Sequence, residues 1–428
     1  MRKTSKSIIL SILAWQVRRL HSKHQFKIIA VVGSIGKTST KLAIAQMLSE
    51  SKRVKFQQGN YNDIVSVPLI FFGHVLPSLT NPFAWLKIFI KNEMQIVGSY
   101  PYDYVVVELG TDGPGQIAAF KRYIVADIGV VTAITPEHME FFSGLSAVAD
   151  EELAVASFSK RLLLNVDLCP TELTLAYSGS FLSYGIHKDA TYVMNDISYN
   201  PNGSTFTLSK DRVPIVQASH FSYSEPQLYS LTAAMAVCDL LEVSNEAIVS
   251  GLERVIPISG RMQTLAGINK ATIIDDSYNA SPDATIAALN TLYRMPAPQK
   301  IALLGNMNEL GSFSSVAHTD IGKYCDPERL NLVVTLGEDA NTYLADAAEK
   351  NGCTVIRTKS PYEAGKIIAE QLQVGALVLI KGSQNGVFAE EAIKPLLADP
   401  SDNNKLVRQS ESWLNIKKSQ FNPESKTV

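Results

Sequence analysis

Apolar positions in this chain come in two textures. Between Phe26 and Leu168, short runs dense in Val, Ile and Leu ("FKIIAVVG", "YDYVVVELG", "ADIGVVTAI", "KRLLLNV") alternate with amphipathic stretches such as "TSTKLAIAQMLSE". A run that is apolar at every position predicts a strand covered on both faces, the usual situation in a parallel sheet. The stretches between predict the covering helices. From Ser183 to Phe221 the pattern changes to short alternating runs with turn residues, as in "ATYVMNDISYNPNGSTFTLS". That predicts an antiparallel hairpin element on the same domain. "EPQLYSLTAAMAVCDLLEV" then predicts a helix.

A boundary falls near "VIPISGRMQ", and strand–helix alternation starts afresh beyond it with "ATIIDDS", "KIALLG", "LNLVVTLG", "CTVIRT" and "ALVLIKG". The expected organisation is a basic amphipathic segment at 1–25, a central α/β domain at 26–258, a second, doubly wound α/β domain at 259–398, and a polar tail at 399–428, loosely held with the stretch "SESWLNIKK" as the exception.

Composition narrows the class. With 46% hydrophobic and 19% charged residues the chain has the make-up of a globular protein, which excludes a disordered one. A net charge of −2 gives no global reason to expect nucleic-acid binding. Cys169, Cys238, Cys325 and Cys353 form no CxxC pair, so reduced thiols in a cytoplasmic protein are the expectation. Charge is uneven, however: no acidic residue precedes Glu50. The apolar run "SIILSILAWQV" in that basic region is roughly half of the ~20 residues a spanning helix needs, and "RRLHSKH" follows it instead of a cleavage site. It reads either as a helix packed on the globular body or as a basic amphipathic helix on an anionic membrane surface.

The chemistry starts at "IIAVVGSIGKTSTK". Strand, then Gly33, Ser34, Ile35, Gly36, Lys37, Thr38 and Ser39, then helix, is the layout of a phosphate-binding loop in its short GxxGKT form. The glycines let backbone N–H groups converge on phosphate, the helix N-terminus adds partial positive charge, Lys37 reaches the β/γ-phosphates, and Thr38 places a hydroxyl on Mg²⁺. Glu108 ends "YVVVELG", and His138 follows "IGVVTAI". Both fall at carboxyl ends of predicted parallel strands, the edge where open α/β sheets bind ligands. That makes them candidate ligands for the cation of a nucleoside triphosphate.

These stretches, with "GNYNDIVSVPL", "VELGTDGPGQI", "TPEHMEFFSGLSAVA", "SGRMQ", "IDDSYNASPDATIAAL", "LGNMNELG" and "IKGSQ" in that order, resemble the Mur ligases, and within them the MurF type. The resemblance implies a central ATP-binding domain of P-loop type followed by a Rossmann-like domain. It implies an ATP-dependent amide ligase that adds D-alanyl-D-alanine to a UDP-N-acetylmuramoyl-tripeptide-like precursor through an acyl phosphate. ATP and Mg²⁺ are the implied cofactors, and the enzyme is expected to be a cytoplasmic monomer. By the same resemblance Thr38, Glu108 and His138 serve the metal, and Arg261 approaches the phosphates. Asp276 meets the ATP ribose, and Tyr278, Asn279 and Ser281 line the nucleotide cleft. Asn60, Asn62, Asn308, Glu309, His318, Lys381 and Ser383 face substrate.

The departures from the family pattern matter. Where many members carry a carbamoylated lysine, this chain has Glu152, read either as a metal-serving carboxylate or as part of a solvated acidic first turn, Asp150–Glu152. Gln384 replaces an arginine, and Pro226-Gln227 replaces His-Asn. The stretch ahead of Gly33 is too short for the UDP-binding domain expected there. Recognition of that end is then lost, or is supplied by the apolar segment Leu69–Gly98 with the N-terminal helix, a surface that would also suit a membrane or partner. Two further functions stay open: a relative acting on a poly-glutamate or folate-like carboxylate, and a non-catalytic nucleotide-binding protein of cell-wall assembly.

Overall fold

The Val- and Ile-rich runs become the buried centres of two sheets. The computed structural model describes residues 2–57, 61–136, 141–177, 179–200, 203–256 and 258–421. It divides into two units, Met1–Ile256 and Pro257–Val428.

The first unit holds β1 (Lys27–Val32), β2 (Val54–Lys55), β3 (Tyr104–Glu108), β4 (Ala126–Val131), β5 (Ser159–Asn165), β6 (Leu182–Gly185), β7 (Tyr192–Asn200), β8 (Gly203–Lys210) and β9 (Val213–His220), in the order β2-β3-β1-β4-β5-β6-β7-β8-β9. Neighbours from β2 to β7 are parallel, and β7, β8 and β9 form the antiparallel extension. Successive residues of β1 serve opposite faces, as strand geometry requires. Ile28, Ala30 and Val32 join one core with Val105, Val107 and Phe71, whereas Ile29 and Val31 join another with Ile44, Leu48 and Met235. Register pairs Val31 with Glu108 and Val32 with Val131, so β1, β3 and β4 end level and their following loops share one edge.

The second unit has β10 (Gln263–Ala266), β11 (Thr272–Asp276), β12 (Lys300–Gly305), β13 (Leu332–Leu336), β14 (Val355–Thr358) and β15 (Leu377–Lys381), ordered β10-β11-β15-β12-β13-β14. Only β10 is antiparallel to its neighbour. The loops after β11, β12 and β15 therefore also meet at one carboxyl edge.

The first and the last described helices are built into their units. The helix Arg2–His24 buries Leu10, Ala14, Val17 and Leu20 in the main core, and Ile9 and Leu13 in a small cluster with Leu69, Trp85 and Ile88. Each fully buried aliphatic side chain contributes about 1.5–3 kcal/mol. A buried amide seam fixes its register against the helix Pro82–Val97. Asn92 Nδ2 donates to Gln16 Oε1 (2.8 Å), and Gln16 Nε2 donates to Glu93 Oε1 (2.9 Å) and to the Phe89 carbonyl (3.0 Å). The packed-helix reading of this segment thus describes its inner face.

At the other end the stretch excepted from the loosely held tail, "SESWLNIKK", packs more closely than its polar composition suggests. Lys417, on the helix Glu411–Phe421, is fully buried between Glu390 (2.8 Å) and Glu391 (2.6 Å) and donates to the Arg408 carbonyl (2.8 Å). Burial opposes ionisation of Glu391, yet Lys394 and Lys417 hold its carboxyl below the usual range. Polar composition concealed this because the polar groups satisfy one another out of solvent. A Lys417→Met variant is expected to lose about 3–5 kcal/mol in denaturant unfolding, since it leaves buried carboxylates short of a partner. A change within about 1 kcal/mol, the worth of a surface pair, would show the tail to be peripheral to the fold.

Candidate active site

The turn after β1 is shaped by backbone. Gly33 has φ +127°, and a Cβ there would collide with Thr132 Oγ1 and the Ala133 amide. Gly36 has φ +83° and stands at the N-cap of the helix Lys37–Leu48, where it supplies no side chain and no acidic residue follows in the first turn. With no side-chain cap from Gly36, this helix N-terminus, where Thr38 and Ser39 are half-buried, is of the kind that suits an anion. The loop is tied to the end of β4. Ser34 N–H donates to the Ala133 carbonyl (2.9 Å), Ser34 Oγ–H to the Thr135 carbonyl (3.0 Å), and Thr132 Oγ1–H to the Ile35 carbonyl (2.6 Å). Lys37 curls back on its own loop, its ammonium donating to the carbonyls of Gly33 and Ser34, the latter at 3.0 Å.

Two buried carboxylates lie on the same rim. Glu108 closes β3, and its Oε2 is 3.2 Å from Lys41 Nζ, both side chains being buried. That oxygen receives no hydrogen bond, while Oε1 accepts a long one from Asn62 Nδ2 (3.4 Å). Glu152 Oε2 accepts from the Gly33 N–H at 2.7 Å, which makes it an anchor of the loop itself. The solvated first-turn reading of Asp150–Glu152 is corrected: the helix begins at Leu145, these residues form its last turn, and Glu151 and Glu152 are buried. Glu151 is tied to the loop after β3, accepting from the Ile117 N–H (2.7 Å), the Gly115 N–H (2.5 Å) and Thr111 Oγ1 (3.0 Å). Lys41 and Glu151 were not singled out from sequence. A lysine one turn after Lys37, inside an apolar helix, was the signal available for Lys41. Asn60 and His138 lie outside the described residues. Among the described residues no group of three or more His, Cys, Asp or Glu is placed to hold a metal.

In the second unit most of the expected residues converge at the carboxyl edge. Lys381 Nζ, buried, pairs with Asp276 Oδ2 (2.5 Å) and donates to the Asn279 carbonyl (3.0 Å). Asp276 Oδ1 accepts from the Met262 N–H (3.1 Å). Ser383 Oγ bridges the loops, donating to the Ala280 carbonyl (3.1 Å) and accepting from the Asn308 N–H (2.9 Å). The Gln384 N–H donates to Asn279 Oδ1 (3.4 Å), and Glu309 is exposed at φ +65°. The Arg261 guanidinium lies 4.2 Å from the centre of the Tyr278 ring, a cation–π stack. Beneath them Asp275 is fully buried; burial pushes its carboxyl up to about 6, against the hydrogen bonds it accepts from Ser277. Arg408 was also missed from sequence. It donates to the carbonyls of Ser277 (2.7 Å) and Tyr278 (3.1 Å) while held bidentately by Glu390.

His318 departs from expectation. The resemblance puts it against substrate, but its ring is fully buried. Nε2 accepts from the Met307 N–H (3.0 Å), so the ring is neutral and Nδ1–H donates to the Ser314 carbonyl (2.8 Å). It orders the loop after β12 from behind. Pro226-Gln227 has a local rationale: Pro226 sits in the first turn of the helix Glu225–Leu240, whose N-cap Ser224 accepts from the Gln227 N–H.

A mostly parallel α/β unit with a phosphate loop on its carboxyl edge, followed by a doubly wound unit with a polar carboxyl edge, defines a nucleotide-phosphate-using α/β protein. Residues 31–238 match the Mur ligase middle domain, and residues 260–384 match the Mur ligase, glutamate ligase domain. The chain belongs to the Mur ligase family. It is an ATP-dependent amide-forming ligase. Among similar proteins, the UDP-N-acetylmuramoyl-tripeptide–D-alanyl-D-alanine ligase of Bacillus subtilis is 26% identical over 385 residues, covering 87% of this chain and 76% of the relative. The crystal structure of MurF from Acinetobacter baumannii superposes with a TM-score of 0.73 at 22% identity, covering 93% of this chain and 80% of that one. MurF ligase from Thermotoga maritima in complex with ADP gives 0.72 at 21% identity, covering 90% and 83%.

Burial lowers the His318 pKa from its ordinary 6.5. A group depressed in the folded state contributes stability above its unfolded pKa that is lost as pH falls through the folded value. The fall in unfolding free energy from pH 7 towards pH 5 is expected to be shallower in His318→Gln, measured by denaturant titration at each pH. Equal slopes would mean that the ring already takes up its proton in the fold.

Proposed function

We propose that the protein joins D-alanyl-D-alanine to a UDP-N-acetylmuramoyl-tripeptide, or a precursor like it, in peptidoglycan synthesis. The observation that carries this reading is the uncapped helix N-terminus behind Gly33 and Gly36, with Lys37 folded on its own loop and Glu108 and Glu152 on the same rim. In this reading triphosphate takes the loop N–H groups, and Lys37 leaves the Gly33 and Ser34 carbonyls for the phosphate oxygens. The γ-phosphoryl group passes to an oxygen of the substrate carboxylate, giving an acyl phosphate and ADP. The amine of D-alanyl-D-alanine then attacks the acyl carbon. The amide forms as inorganic phosphate leaves and the amine loses a proton. Charge neutralisation and positioning carry the catalysis, because phosphoryl transfer to a carboxylate brings anions together.

The donor set suits a divalent cation. Glu108 Oε2 is a buried carboxylate oxygen that accepts no hydrogen bond, with the Lys41 ammonium 3.2 Å away, on the rim where triphosphate would lie. We propose that Thr38, Glu108, His138 and Glu152 hold or surround Mg²⁺, which when bound offsets phosphate charge. On the second unit, the Asp276–Lys381 pair, the Tyr278–Ser281 loop, Asn308 and Ser383 form a polar edge suited to ligand, with His318 behind it. In this reading the protein works in the cytoplasm as a monomer, in peripheral contact with the inner membrane face.

ADP release by the purified protein, measured over a panel of carboxylates and amines, tests the reading. Release is expected only with UDP-N-acetylmuramoyl-tripeptide and D-alanyl-D-alanine together. Turnover with a poly-glutamate or folate-type acceptor would replace the substrate assignment, and nucleotide binding without release would make the protein non-catalytic. Lys37→Ala is expected to cut kcat by about 10²–10³-fold or more with an unchanged melting temperature. Glu152→Gln keeps an acceptor for Gly33 but removes the charge. If that charge serves Mg²⁺, the half-saturating Mg²⁺ concentration is expected to rise about tenfold. An unchanged value would confine Glu152 to anchoring the loop.

A further inference from the structure

The helix Pro82–Val97 is apolar on two opposite faces, and the fold uses only one. Trp85, Ile88 and Ile96 are buried, with Asn92 between them in the amide seam. On the other side Phe83 (83% exposed), Leu86, Ile90, Met94 and Val97 (70%) stand in solvent, each three or four residues from the last. That spacing puts them in one stripe along the helix. Val75 and Leu79, in the loop before the helix, are exposed as well. Trp15 lies beside the stripe: its ring stacks on Arg19 (4.3 Å), and Arg19 pairs with Glu93 (2.6 Å) on the same helix. Contiguous apolar exposure of this kind marks an interaction surface.

Charge identifies the occupant. Lys87 and Lys91 are exposed along the stripe, and Lys6, Arg18 and Lys23 are exposed on the N-terminal helix. No acidic residue precedes Glu50, and the one acid between residues 69 and 98 is Glu93, already paired with Arg19. A second copy of the chain would set these cations against themselves. An anionic lipid surface complements them, and it accepts the outward face of a helix without needing a matching groove.

We propose that the outer face of the helix Pro82–Val97, with Trp15, docks the protein on anionic phospholipid. Phe83, Leu86, Ile90 and Met94 enter the headgroup–acyl boundary, and Lys87 and Lys91 lie along it with their ammonium groups among the lipid phosphates. No described helix is long and apolar enough to cross a membrane, so the contact through this face is peripheral. The amide seam of Gln16 and Asn92 keeps the inner face locked to the protein, which leaves the outer face rigid and ready without any rearrangement. The inference rests on the peripheral location proposed for the protein and not on its ligase chemistry, so the two fail separately.

Co-sedimentation of the full chain with vesicles of phosphatidylglycerol mixed with phosphatidylcholine, against phosphatidylcholine alone, tests it. Binding is expected to the anionic vesicles only and to weaken with salt. It should fall about tenfold or more in a Phe83→Ser/Ile90→Ser variant and in a Lys87→Glu/Lys91→Glu variant. All four positions are exposed, so the melting temperature should stay at the parent's value. The proposal is overturned if the parent ignores anionic vesicles, if either folded variant binds as well as the parent, or if sedimentation velocity shows a dimer that the serine variant abolishes.

Discussion

A helix N-terminus that no side chain caps, held immobile at the end of β1, is the constraint around which the first unit is arranged. Gly36 can open the helix Lys37–Leu48 in a left-handed conformation because it has no Cβ, and the same lack of a side chain means that the N-cap residue itself offers the first-turn donors no acceptor. Gly33 must be glycine because Thr132 and Ala133 occupy the place of a Cβ. The loop between them is fastened by Ser34 and Thr132 to the end of β4 and by Glu152 through the Gly33 amide. The shape of the loop is therefore set by the protein's own hydrogen bonds. Such a rim gathers negative charge from the ligand and from Glu108 and Glu152 at once. Negative charge gathered in this way favours cations beside it, and the ammonium groups of Lys37 and Lys41 are two of them.

Much of this was legible in the sequence because it is local. Strand-dense runs fix the parallel sheets by composition alone, and the glycine spacing around Lys37 fixes the loop through backbone conformation. Partner choice across the sheet was not legible. The Lys381–Asp276 pair joins residues at the ends of β15 and β11, strands far apart in sequence that become neighbours only through the sheet order. His318 carries the right residue type for a site, and sequence does not reveal that its ring faces inward to serve the Met307 amide. Asp150–Glu152 misled for the opposite reason. Three acids in a row read as a solvated turn, yet the helix starts early enough to turn two of them inward.

The chain ends illustrate the same limit. Composition called the C-terminal segment loose, but Arg408 reaches back to the carbonyls of Ser277 and Tyr278, and its bidentate grip on Glu390 is continued by Lys417. A segment polar throughout can be immobile if its charges find partners away from water. At the N-terminus the apolar content was plain, and the division of labour was hidden. One set of apolar residues builds the core, and a second set, on the far side of the neighbouring helix, is left over. Only the three-dimensional arrangement separates the two.

Both units place a buried lysine–carboxylate pair at the carboxyl ends of their parallel strands: Lys41 with Glu108 in the first, Lys381 with Asp276 in the second. Desolvation consumes most of what such pairs gain, so they are poor devices for stability. Their value here is positional. A carboxylate at the end of a central strand has little freedom of its own and, with a lysine opposite, stays in place while the edge is empty of ligand. The Lys41–Glu108 contact is the looser of the two, at 3.2 Å with Oε2 unsatisfied by any hydrogen bond, whereas Lys381 meets Asp276 at 2.5 Å and also donates to the Asn279 carbonyl. The first pair is therefore held less closely than the second. That asymmetry follows from geometry alone: the carboxylate beside the phosphate loop keeps an oxygen outside any hydrogen bond, and its counterpart in the second unit is shared between an ammonium and a backbone N–H.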